Sequence, residues 1–105
     1  MIEVKVKPGN CGMDTTICVE SADQESARIS IDSLCPFILK LARELGEVDA
    51  YEVCFTPVCD SPVYRLAGLY CKHPCCPVPA AIIKGVEAAC GLALPQDVTI
   101  KIEKK

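Results

Sequence analysis

The stretch YCKHPCCPVP, Tyr70 to Pro79, is the strongest constraint on what this chain can fold into. Three cysteines and the only histidine fall between Cys71 and Cys76, fenced by Pro74, Pro77 and Pro79. Proline fixes its own φ and removes a backbone donor, so a segment this rich in it cannot continue a regular helix or sit inside a sheet. The reactive side chains must be carried on loop backbone and held in place by elements from elsewhere in the chain.

Periodicity locates those elements. In MIEVKVK, Ile2, Val4 and Val6 alternate with Glu3, Lys5 and Lys7, the pattern of a half-buried strand. PGNCGM follows as a turn with Pro8, Gly9, Asn10 and Gly12. TTICVE alternates again, with Ile17 and Val19 on one face and Cys18 on the other, and ARISID reads as a third strand through Ile29 and Ile31. Three such strands suit an antiparallel meander. In SLCPFILKLARELGEVD, Leu34, Ile38, Leu41 and Leu45 recur at helical spacing. Pro36 suits the first helical position and Gly46 the stop, which leaves Cys35 at the N-cap.

AYEVCF reads as a fourth strand, and residues 56–79 as a long irregular loop in which YRLAGLY makes a short helical turn. PAAIIKGVEAACG is a second helix with Ile82, Ile83, Val86 and Cys90 on its apolar side, and DVTIKIE closes the chain as a strand through Val98, Ile100 and Ile102. The expected fold is α+β: a mixed or mostly antiparallel sheet of about five strands, two helices on one face, and a long Cys/Pro-rich loop. A chain of 105 residues suits a single domain over 1–105. With three Tyr, two Phe and no Trp, its core must come from Val, Ile, Leu and Ala.

The nine cysteines divide by position. Cys18 and Cys54 fall in expected strands and Cys90 on the core side of a helix, where free cysteine acts as a small hydrophobe. Cys11, Cys35, Cys59, Cys71, Cys75 and Cys76 fall in turns, at helix starts or in the long loop. Cys35 and Cys76 each precede a proline and a helix, where unpaired N–H groups and the helix dipole favour a thiolate, so both are expected to have depressed pKa values and to share one site.

Metal spacing is open. CKHPCC offers Cys71 with Cys75 or with Cys76, and His73 between them. No C-x-x-C occurs, so a zinc ribbon or a sequential iron–sulfur motif has no support, and ligands must be gathered from separate segments, such as Cys59, Cys71 and Cys76 with Cys11 or Cys35. Four thiolates suit zinc or an iron–sulfur cluster equally. The alternative is a thiol redox or sulfur-transfer protein, working with a protein partner, with Cys35 or Cys76 as nucleophile. A third is a non-catalytic structural or partner-binding domain. His73 alone supports no hydrolase triad.

The net charge of −3 with scattered basic residues argues against nucleic acid, and no apolar run is long enough for a membrane span. MIEVKVKPG lacks the pattern of a secretory signal, which points to the cytoplasm, where clustered cysteines more often mean metal or reactivity than disulfides.

Taken together, PGNCG, SLCP, CDSPVYRLAG and KHPCCPVPAAIIKGVEAACGLALP resemble an uncharacterised family of short cysteine-rich proteins found largely in anaerobic prokaryotes. The resemblance carries no activity with it. It implies an oxygen-poor cytoplasm, where thiols and iron–sulfur clusters survive.

Overall fold

The computed structural model describes residues 1–105. Its first third is the expected meander: β1 (Ile2–Val6), β2 (Thr15–Glu20) and β3 (Ser26–Ser33) pair antiparallel in order, with Val4 opposite Ile17 and Ile17 opposite Ile31. The pleat sends Thr15, Ile17 and Val19 to one face, all buried, and Cys18 to the other beside exposed Ser30 and Glu3. The helices that contact the sheet pack on the first face.

Helix α1 (Pro36–Leu45) follows β3 with Pro36 in its first turn and Gly46 as its stop at φ +51°. The Gly46 carbonyl accepts from the Ile29 N–H at 2.8 Å, so the chain is returned to the sheet as soon as the helix ends. It then forms a short fourth strand, β4 (Glu47–Asp49), antiparallel to the start of β3.

The structure departs from the sequence reading after this point. AYEVCF is not a strand. Asp49 accepts from the Glu52 N–H at 3.0 Å and caps helix α2 (Ala50–Cys54), which buries Ala50 and Val53. Nor is 56–79 irregular throughout. A 3-10 turn, Val58–Asp60, leads into helix α3 (Pro62–Tyr70), with Pro62 in its first turn and Val63 and Ala67 buried one turn apart. Pro57 and Pro62 thus stand at helix entries, where a missing N–H costs nothing. Helix α4 (Val78–Ala89) buries Val78, Ile82 and Val86. DVTIKIE joins no sheet, and residues 95–105 carry no regular structure. The sheet therefore has four antiparallel strands rather than five, and the chain has four α-helices rather than two, with α3 packed on the other helices.

The core is aliphatic, as the composition requires: Ile17, Val19, Ile29, Ile38, Leu41, Ile82 and Val86 are buried. Each contributes about 1.5–3 kcal/mol by leaving water. Gly85 lets α4 lie close on the sheet, since a Cβ there would stand 3.0 Å from Val19 Cγ2 and 3.1 Å from Val4 Cγ2. No helix is long and apolar enough to cross a membrane.

Candidate functional site: a thiol cluster at one end of the sheet

Two helices begin at the same end of the sheet. β3 ends at Ser33, and α1 runs back from there to Gly46 and the far end. α4 also finishes at the far end, where Gly91 lies against Gln24 in the β2–β3 turn. Its beginning, at Cys76–Pro77, is therefore beside the beginning of α1 at Cys35. The positive ends of the two helix dipoles point to one place.

Four segments bring cysteines there. Cys11 stands in the β1–β2 turn between Gly9 and Gly12, whose φ values of +100° and +66° fold the chain back; the Gly12 N–H donates to the Gly9 carbonyl at 2.9 Å. Cys35 is the N-cap residue of α1. Cys71 is the C-cap of α3. Cys76 follows a turn closed by its own N–H on the His73 carbonyl at 3.1 Å, with Pro74 and Cys75 as the central residues. That turn folds Cys76 back toward Cys71, close enough for the two thiols to influence each other. Cys35, Cys71 and Cys76 rest half-buried against the hydrophobic core, and Cys11 and Cys75 are exposed at the rim.

A chain of hydroxyls holds two of these segments in register. The Thr15 hydroxyl donates to the Met13 carbonyl at 3.1 Å and stands 2.7 Å from the Ser33 hydroxyl, which accepts from the Cys35 N–H at 3.1 Å. With the Thr15 proton spent on Met13, the Ser33 hydroxyl donates to Thr15. The Cys11 turn and the Cys35 helix start are thus joined through paired residues of β2 and β3. Sequence reasoning missed Thr15 and Ser33. Their signal is a hydroxyl on the apolar side of the alternation at the end of each strand. Across the cluster, Lys72 Nζ lies 5.4 Å from the centroid of the Phe37 ring and ties the segment after Cys71 to the first turn of α1.

The electrostatics correct the expectation of an activated thiol at Cys76. Burial pushes the Cys71 thiol up to about 11, and the nearby Cys76 and Cys35 sulfurs act in the same direction. Cys76 is also raised, first by burial. The Val78 N–H at the start of α4 pulls it down, as the helix-start argument expects, but Cys35, Cys11 and Cys75 push it up again. Desolvation and thiol–thiol repulsion outweigh the helix terminus.

The remaining candidates lie elsewhere. Cys59 is exposed in the 3-10 turn before α3. Cys71 is at the other end of that helix, a rise of about 13 Å away. Cys59 thus stands apart from Cys71 along the length of α3. His73 is exposed and contributes its carbonyl to the turn. Cys90 is buried. Cys54, half-buried at the end of α2, is pushed up to about 11 by burial, then by Glu87 and Cys90. As placed, no three His, Cys, Asp or Glu side chains stand in an arrangement that could hold a metal ion.

Residues 2–102 match the family described as a family of unknown function, DUF6951. The chain belongs to that family. No curated protein and no solved structure matches it. Membership in DUF6951 agrees with the resemblance to an uncharacterised family and covers nearly the whole chain, cysteine cluster included.

Proposed function

We propose that Cys11, Cys35, Cys71 and Cys76 bind a thiophilic metal centre, a zinc ion or an iron–sulfur cluster, in a reducing cytoplasm. The observation that carries this reading is the convergence of four thiols from four separate segments on the end of the sheet where α1 and α4 begin. Their electrostatics favour a cation. Burial and mutual repulsion hold Cys71 and Cys76 protonated and make them poor nucleophiles at neutral pH. A metal ion inverts that balance, since its charge stabilises several thiolates at once and their protons are released. The exposed Cys11, between two glycines, has room to turn inward, so the site closes on the ion rather than waiting preformed. Cys75 is a rim thiol beside it.

A second reading, a dithiol–disulfide couple on Cys71 and Cys76 serving a redox or sulfur-transfer partner, is favoured by the turn that folds the Cys76 thiol back toward Cys71.

Anaerobic preparation of the full chain, followed by elemental analysis and absorption spectroscopy after exposure to zinc or to ferrous iron with sulfide, tests the choice. The metal reading expects about one zinc per chain bound by four thiolates, or the charge-transfer absorption of a cluster. Protein that takes up neither sinks it. Oxidation to a single Cys71–Cys76 disulfide in that protein supports the second reading.

A further inference from the structure

The C-terminal segment has a strand's pattern and no strand partner. Val98, Ile100 and Ile102 are 57%, 75% and 91% exposed. No backbone hydrogen bond outside the helices and strands involves a residue beyond Ala93. Lys101 and Lys105 both pair with Glu103, at 3.1 and 2.9 Å, which puts these alternate residues on one side of an extended chain and the apolar residues on the other. The sheet, for its part, ends in an uncovered edge: β1 pairs with β2 only. An open edge and an unpaired amphipathic strand are complementary liabilities.

We propose that residues 97–103 of one copy add as an antiparallel strand to the β1 edge of a second copy, and that the reciprocal exchange makes a symmetric dimer. Charge selects the register. With Val4 opposite Ile100, Ile2 meets Ile102 and Val6 meets Val98 on the helix-covered face. On the open face Glu3 meets Lys101, Lys5 meets Thr99, and Lys7 meets Asp97. Every charged pair in this register is of opposite sign. A slip of two residues one way sets Lys5 on Lys101 and Glu3 on Glu103. A slip the other way leaves Val6 and Ile102 without apolar partners.

The same pairing cannot form within one chain. α4 releases the chain at the Ile2 end of β1, with Ala93 still bonded to the Glu87 carbonyl. Asp97 would have to reach Lys7 at the opposite end, about 17 Å along the strand. The four residue steps from Ala93 to Asp97 span at most about 14 Å. A second copy related by a twofold axis has no such restriction.

Sedimentation velocity on the full chain over a concentration series tests this, together with Ile100→Pro, Glu3→Lys, Lys101→Glu and the double reversal. The expected results are a concentration-dependent dimer, loss of that dimer in Ile100→Pro with the circular dichroism of the body retained, and a roughly two- to five-fold weaker dimer in each single reversal. Restoration by Glu3→Lys with Lys101→Glu reports the register itself and does not depend on the proline variant folding. A wild-type monomer at all concentrations overturns the proposal, as does a dimer indifferent to Ile100→Pro or a double reversal no better than the singles.

Discussion

The Lys72 ammonium stands 5.4 Å from the centroid of the Phe37 ring, so the residue after Cys71 is fastened to the residue two beyond Cys35. This cation–π contact, worth about 0.5–1 kcal/mol at an exposed site, crosses between the two segments that carry half of the proposed ligands. Lys72→Ala should leave the sheet and α1 intact and loosen the turn from His73 to Cys76. The measurement is hydrogen exchange at the Cys76 amide, which bonds the His73 carbonyl. Faster exchange there with unchanged exchange in β2 is the expected result, and unchanged exchange at both would remove the contact's positioning role.

Individual thiols should differ in their effect on metal uptake. Cys35→Ser, Cys71→Ser and Cys76→Ser each remove one half-buried ligand of the proposed centre and should abolish stoichiometric binding. Cys59→Ser and Cys18→Ser, whose sulfurs lie at the far end of α3 and on the open face of the sheet, should bind like the parent. Metal content per chain by elemental analysis makes the comparison. Equal binding in all five variants would separate the cluster from metal altogether.

Alkaline pH should weaken the metal-free fold. Cys71 and Cys54 are each raised to about 11 from an ordinary value near 9.0. A group whose folded pKa lies above its unfolded value contributes stability below the unfolded pKa and loses it as pH rises through the folded one. Denaturant midpoints should therefore hold steady up to about pH 9 and fall toward pH 11. Alkylation of Cys71 in the folded chain should be slower at pH 9 than in the unfolded chain. A midpoint that does not move across this interval would contradict the burial of these thiols.

The hydroxyl chain should carry measurable stability. Ser33→Ala takes the acceptor from the Cys35 N–H and one partner from Thr15, at a cost of about 1–2 kcal/mol in chemical denaturation. Thr15→Val combined with Ser33→Ala should cost less than the sum of the two single changes, because the buried Thr15–Ser33 pair is removed from both sides. Strict additivity would mean that the two hydroxyls do not act together.

Much of the framework was legible in the amino-acid order. The alternation of Ile2, Val4 and Val6, of Ile17 and Val19, and of Ile29 and Ile31 placed three strands and their buried face. Leu41 and Leu45 with Pro36 and Gly46 delimited α1, and Cys90 is buried as its place on the apolar side of α4 requires, whereas Cys18 and Cys54, grouped with it in the sequence, are half-buried like Cys35, Cys71 and Cys76. These features are local, because a side chain's face follows from the backbone period alone. The residues Ala50–Cys54 were not legible in this way. Over five residues strand and helix periods overlap, and the Asp49 cap, which needs a backbone geometry and not only a residue type, decided for the helix. In α3 the prolines that suggested a loop were helix entries, and nine residues were too few to outweigh them in the pattern.

The cluster itself belongs to the tertiary structure. Cys11, Cys35, Cys71 and Cys76 span 66 positions of the chain and meet because α1 and α4 run the same way across one sheet, a direction set by how the core packs. The direction in which the Cys71 and Cys76 thiols shift was decided there too. A sequence places Cys76 before a helix and predicts a depressed thiol. Only the packed structure supplies the burial and the neighbouring sulfurs that outweigh the helix terminus, because desolvation and repulsion depend on what surrounds an atom in space.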